Sequence, residues 1–188
     1  HPEVPGIMGL SVQRLFQSLS QYKDFQVSCS FFEIYNEQVN DTLSNARDLK
    51  VKFTEEKGVY IEDLLCETIN SVSQFQQLIE TGRKNIQVRA TQMSALSSRS
   101  NFIVQLSIKI IDQNQVRTCQ LRFLEFQGSE RIRKTGYHGQ LQEAMRISLS
   151  ICTFGNVINN LVQQKAHIPY RDSKITRLFQ ESLGGNAF

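Results

Sequence analysis

No stretch of this sequence comes near the roughly 18 consecutive apolar residues that a membrane-spanning helix needs, so no transmembrane helix is expected. The sequence has three histidines (His1, His138, His167) and no Cys-x-x-Cys pair, which argues against a zinc site. Cys29, Cys66, Cys119 and Cys152 are widely scattered, each in or beside an apolar run, as expected of reduced core thiols in the cytosol. Low-complexity tracts, internal repeats and Pro-rich linkers are absent, which leaves no obvious domain boundary. No Gly is followed by Lys, so the phosphate-cradling pattern Gly-x-x-x-x-Gly-Lys-[Ser/Thr] does not occur. The chain opens on His1-Pro2-Glu3, with neither Met nor an apolar signal segment, as expected of a segment that begins inside a longer product.

What is present is a globular composition. The 188 residues are 40% hydrophobic, 9% aromatic and 21% charged, enough apolar mass for one core. The net charge of +3 is unevenly spread. Residues 131–188 carry eight Lys or Arg and three Asp or Glu, a balance of +5, against −2 for residues 1–130. A basic C-terminal third suits an acidic partner surface, or is simply a solvated face. It carries no recognisable nucleic-acid module, so nucleic acid is not expected as the partner.

The patterning predicts interleaved helices and strands. Gly9 to Leu19 suits a short amphipathic helix with Leu10, Val12, Leu15 and Phe16 on one side. Phe25 to Tyr35, rich in β-branched and aromatic residues, suits a buried strand. Leu49–Phe53 and Val59–Ile61 suit a hairpin about Lys57-Gly58. A helix is expected from Ser71 to Thr81, with Ser71 and Gln74 as a capping box and Gly82 as a left-handed stop. Phe102–Ile110 and Thr118–Phe126 suit two strands joined by a turn at 112–115. Gln140 to Gln163 reads as a helix with Ile147, Ile151, Phe154, Ile158 and Leu161 as its apolar face. A last helix should follow Pro169, capped by Asp172 or Ser173 and ended by Gly184-Gly185. Such a succession argues for a layered α/β fold with a mixed sheet.

Two stretches carry a family resemblance. Thr91-Gln-Met-Ser-Ala-Leu-Ser-Ser-Arg-Ser-Asn101 resembles the kinesin switch I loop, whose core is Ser-Ser-Arg-Ser-His. Glu125-Phe-Gln-Gly-Ser-Glu-Arg131 resembles the switch II loop, usually Asp-Leu-Ala-Gly-Ser-Glu. The string His167-Ile-Pro-Tyr-Arg-Asp-Ser-Lys-Ile-Thr-Arg-Leu-Phe-Gln-Glu-Ser-Leu-Gly-Gly-Asn186 is close to the kinesin one at nearly every position. Phe32-Glu-Ile-Tyr-Asn-Glu37 and Gly155-Asn-Val-Ile158 also match. The resemblance runs in order over the whole chain. It implies a three-layer α/β motor fold, a central mixed sheet with helices on both faces, truncated here at both ends. Residues 1–90 would follow the phosphate loop, 91–101 be switch I, 125–139 switch II, and 140–188 the relay helix and microtubule-binding helix.

The resemblance also implies roles, with ATP and magnesium as cofactors in the full-length family member and none expected on this chain alone. Phosphoryl transfer is largely positioning and electrostatics. Gly128 matches the γ-phosphate sensor, Ser98 the magnesium-holding hydroxyl, and Ser97 the residue beside the attacking water. Arg99 and Glu130 match the ion pair that closes the site, and Ser94 stands where an Asn meets the phosphates. Glu125 replaces the Asp that reaches magnesium through water, one methylene longer. Gln127 replaces Ala, Asn101 replaces His, and Ser148-Leu149 replace an Asn-Lys pair that ties the relay helix to the switches. Arg131, Lys134, Arg171, Asp172, Lys174 and Arg177 match contacts with acidic tubulin.

The reading that follows is a portion of an ATP-driven microtubule motor, on cytoplasmic microtubules, with no nucleic-acid or membrane partner and a possible dimer through a coiled coil outside this chain. The competing reading is an ATPase-inactive kinesin-homology module that binds microtubules or a partner motor. A GTPase-like switch is disfavoured by the tubulin-facing string.

Overall fold

The computed structural model describes residues 6–92, 100–112, 115–126, 138–185 and 187, with side chains left out at 88–92 and 138–148. The elements are α1 (Ile7–Leu19), β1 (Asp24–Tyr35), β2 (Gln38–Asp41), β3 (Val51–Thr54), β4 (Gly58–Ile61), β5 (Glu67–Ile69), α2 (Val72–Gln92), β6 (Asn101–Asp112), β7 (Gln115–Glu125), α3 (His138–Val162), a 3-10 turn at Tyr170–Asp172, α4 (Lys174–Leu178) and α5 (Gln180–Gly184). No described helix is long and apolar enough to cross a membrane.

A five-stranded sheet organises these elements. β1 is its spine: β6 pairs along one edge, and β2 and β5 share the other. β7 pairs with β6 from Phe102↔Glu125 to Asp112↔Gln115, so only two residues separate the paired ends. Every pairing among the described strands is antiparallel. β3 and β4 form a separate hairpin.

Both faces of β1 are buried from Cys29 to Ile34, where Phe31, Phe32 and Ile34 fall, whereas Phe25 to Ser30 alternates apolar and polar residues and the strand's first three residues are exposed. Val27, Cys29 and Phe31 face α1 and α2, joined by Phe102, Val104, Leu106 and Ile108 of β6. Phe31 anchors this core, with its ring centroid 5.8 Å from that of Phe75 on α2 and 6.5 Å from that of Phe102. Phe32, Ile34 and Ile103 face the other way, against Ile175, Leu178 and Phe179 of the C-terminal segment and Phe154 of α3. Helices therefore cover both faces, in three layers.

Several expected details change. Leu10 points outward: the stripe of α1 packed into the core is Met8, Val12, Leu15, Phe16 and Leu19, and Leu10 lies about 120–180° away from these at 100° per residue. On α3 the buried positions include Ser150, Thr153 and Val157, while Ile158 is exposed and Ile147 lies outside the described side chains. Of the cysteines only Cys29 is in the core; Cys66, Cys119 and Cys152 are exposed. Burial, with smaller contributions from Cys66 and Glu67, pushes the Cys29 thiol up to about 12, so it is an inert core group. The short strands β2 and β5 carry too few residues for a readable alternation.

Gly82 does not stop α2, which runs on to Gln92. Its role is close approach. A Cβ at Gly82 would stand 2.8 Å from Thr42 Oγ1, and that hydroxyl is fixed because it donates to the Phe31 carbonyl at 3.0 Å. Asn85, one turn on, donates to the Thr42 carbonyl at 2.7 Å, so α2 is strapped against β1. Gly82→Ala should therefore destabilise the fold by about 1–2 kcal/mol, although Ala at an open helical site would stabilise it by about 1 kcal/mol. A urea midpoint that rises instead would overturn this assignment. The Ser71 cap is present, with the Gln74 N–H donating to Ser71 Oγ at 3.2 Å. Gln74 Oε1 takes its hydrogen bond from the Asn70 N–H at 2.6 Å, one residue before a standard capping box would place it.

Candidate functional site

The string from His167 folds as a 3-10 turn, an extended Ser173, and two five-residue helices broken at Phe179, in place of one continuous helix. Ser173 decides where α4 begins. Its Oγ accepts from the Thr176 N–H at 3.2 Å, and Thr176 Oγ1 accepts from the Ser173 N–H at 3.2 Å, a reciprocal capping box. Thr176 Oγ1 also donates to the Tyr170 carbonyl at 2.8 Å and so ties the 3-10 turn to the helix. Ile175, Thr176 and Leu178 are buried. That leaves Lys174 and Arg177, three residues apart and both half-buried, on a common outer face. Arg171 and Asp172 are exposed beside them. Arg171 is carried by the 3-10 turn, however, and the extended Ser173 breaks the helical spacing expected from Arg171 to Lys174.

Glu37 fixes the start of α4. It sits with Asn36 in the two-residue turn between β1 and β2, and both residues have positive φ, 52° and 60°. Such a backbone is strained for Glu. The turn aims Glu37 Oε2 at the Lys174 N–H, 2.8 Å away, and satisfies a donor that the short helix cannot. The family-like stretch Phe32–Glu37 thus serves the α4 segment, a link between residues 137 apart that no local pattern discloses.

Gly184 packs α5 into place. A Cβ there would lie 2.1 Å from the Tyr170 hydroxyl and 2.9 Å from Leu161 Cδ2, so a larger residue would require both side-chain ends to shift away from this contact among the 3-10 turn, α3 and α5.

Ser94, Ser97, Ser98, Arg99, Gln127, Gly128, Glu130, Arg131 and Lys134 lie outside the described residues, as does the side chain of Ser148. Asn101 is buried at the start of β6, and Leu149 is exposed on α3. Glu125, the expected water-mediated magnesium carboxylate, ends β7. Its Oε2 lies 2.9 Å from Arg83 Nη2 on α2, and the Arg83 guanidinium also stacks 5.7 Å from the Phe102 ring centroid. Both side chains are more than half exposed, so this is a surface ion pair that solvent screens and that contributes about 0–1 kcal/mol. No group of three or more His, Cys, Asp or Glu among the described residues could hold a metal ion. Arg83 gives no motif signal; its pairing depends on α2 crossing the end of β7.

Phe126, just past Glu125, packs edge-on to Phe154 of α3 with ring centroids 5.1 Å apart. The end of β7 is therefore in direct contact with α3.

The kinesin motor domain family profile matches residues 1–188. The chain is 41% identical to the kinesin-like protein klp-20 of Caenorhabditis elegans, over 98% of this chain and 30% of that protein. It is 40% identical to the kinesin-like protein KIN-7L of Oryza sativa subsp. japonica, over 97% of this chain and again 30% of the relative. The chain thus spans about a third of the length of these curated relatives. Among solved structures, a fast kinesin superposes with a TM-score of 0.85 at 36% identity, covering 99% of this chain and 55% of that one. A KIF14 dimer in a two-heads-bound state, with AMP-PNP and in complex with a microtubule, superposes at 0.84 and 31% identity, covering 97% and 57%.

Proposed function

This chain belongs to the kinesin motor domain family, and on that premise we propose that it is the microtubule-facing part of an ATP-driven microtubule motor. The family comprises microtubule motors of the cytoskeleton that generally bind ATP and magnesium. The observation that carries the proposal is the α4 segment. Its buried face docks on the sheet and its first N–H is held by Glu37, while Arg171, Lys174 and Arg177 remain at the surface. A rigidly seated basic segment suits the acidic surface of tubulin, where complementary charge steers and orients association. Arg131 and Lys134 extend the proposed contact, with Asp172 beside it. Segments 91–101 and 125–139 are the proposed switches, with Ser97, Ser98, Arg99, Gly128 and Glu130 in the roles named above and Ser94 beside the phosphates. The proposed location is on microtubules in the cytoplasm.

A second reading, a kinesin-homology module that binds microtubules or a partner motor without hydrolysis, is favoured by one observation: residue 125 is Glu, one methylene longer than the Asp usual in this motif. Neither reading routes a chemical step through Glu125.

Microtubule cosedimentation with and without ATP tests both, on this chain and on a version extended upstream with a phosphate-loop segment. Both forms should bind microtubules. The motor reading expects ATP to change the affinity of the extended form at least several-fold. Binding by both forms with no response to ATP establishes the passive module instead, and no binding by either removes both readings.

A further inference from the structure

Position 122 continues the second face of β7, two residues before Leu124, which packs into the core beneath α4. An apolar residue would extend that stripe, yet the residue is arginine. Arg122 Nε donates to Gln105 Oε1 at 2.8 Å, its partner across the β6–β7 ladder. Nη1 donates to the Leu178 carbonyl at 2.7 Å, and the guanidinium lies 5.9 Å from the centroid of the Phe179 ring. Leu178 is the last residue of α4 and Phe179 is the break before α5. The arginine thus reaches from the sheet into the α4–α5 junction and takes up a terminal carbonyl that a helix leaves without an internal partner.

Burial lowers the Arg122 pKa, and the Glu181 carboxylate works against that shift. Placing a guanidinium in a half-dry site is costly unless its donors are used, and an apolar side chain of similar volume often serves stability as well. The hydrogen bonds here are directional and span two elements. β7 runs on from Arg122 through Leu124 to Glu125 and then to Phe126, whose ring meets α3. A 2.7 Å hydrogen bond weakens steeply with displacement or misalignment. This contact therefore ties the junction to β7.

We propose that Arg122 is a positioning residue that fixes the α4–α5 junction to β7, and so sets the orientation of Lys174 and Arg177 by the position of the strand that leads into residues 125–131. Its functional half rests on the reading of α4 as a tubulin-facing helix. Glu37 in the β1–β2 turn holds the first N–H of α4 and Arg122 on β7 its last carbonyl, so the short helix is pinned at both ends.

Arg122→Met and Arg122→Lys in the full chain test this by amide hydrogen exchange and by microtubule cosedimentation. Arg122→Met should raise exchange across residues 174–184 at least tenfold, leave the protection of β1 and β6 unchanged, and weaken microtubule binding about fivefold. Arg122→Lys keeps the charge and can still reach one acceptor, so it should recover part of both losses. Unchanged exchange at 174–184, or an equal rise in β1 and β6, would overturn the positioning role. Should Arg122→Met not fold, the same comparison on Arg122→Lys decides the point. Wild-type protein that binds no microtubules would remove the tubulin reading, while the exchange pattern would still decide whether Arg122 holds α4.

Discussion

Asp41→Ala is expected to cost about 4 kcal/mol of stability, on the scale of a whole domain's margin of roughly 5–15 kcal/mol. Asp41 ends β2 and is fully buried. Its Oδ1 accepts from the Leu43 and Ser44 N–H groups at 2.7 and 3.0 Å, and its Oδ2 accepts from the Leu65 N–H at 2.8 Å. One carboxylate thereby organises the turn after β2 and the chain leading into β5, 24 residues away. Hydrogen bonds to a charged acceptor contribute about 1.5–3 kcal/mol each, and truncation would leave the N–H groups of half-buried Leu43 and Leu65 and of exposed Ser44 without this acceptor. Asp41→Asn keeps one oxygen but turns a donor toward the other side, and should lose about half as much. Urea unfolding followed by circular dichroism measures both. A loss below about 1 kcal/mol for alanine would show that water replaces the carboxylate at these sites.

Lys174→Glu combined with Arg177→Glu should weaken microtubule cosedimentation by at least about tenfold at low salt, with the difference shrinking as salt screens the contact. The change is confined to the outer face of α4, since the inward residues Ile175, Thr176 and Leu178 are untouched. The fold should tolerate it. A glutamate at 174 suits the helix dipole but stands near the Glu37 carboxylate, and one at the half-buried position 177 opposes the dipole, so the pair should cost about 1–2 kcal/mol, read from the urea midpoint. Unchanged cosedimentation at moderate salt, with a urea midpoint lowered by no more than that, would place the tubulin contact elsewhere on the molecule.

The β-branched and aromatic residues of Phe25–Tyr35 point to a buried strand, which β1 is from Val27 onward, and the β6–β7 ladder covers the two strand segments expected from the sequence. Lys57-Gly58 lies where the β3–β4 hairpin turns, with Gly58 at φ 65°. Ser71 and Ser173 both cap helices, because a side-chain oxygen at such a position reaches N–H groups only two or three residues away. These features are legible because each depends on residues close in sequence. Gly82 was misread for the same reason. A glycine near an expected helix end suggests a stop, yet the space it leaves is filled by Thr42, which no local window includes. The cysteines were misread likewise, since an apolar neighbourhood in sequence does not say which face of a strand or helix will be covered.

Family, α/β class and the basic character of the C-terminal segment are readable along the chain, because motif strings, hydrophobic periodicity and charge are properties of residue order. Tertiary structure alone decided who partners whom. Glu37 meets Lys174 across 137 residues, Arg122 meets Leu178 across 56, and Arg83 takes the Glu125 carboxylate across 42. Each of these contacts needs two elements brought to within about 3 Å at a defined angle, a condition set by strand order and helix packing and by nothing in the neighbouring residues.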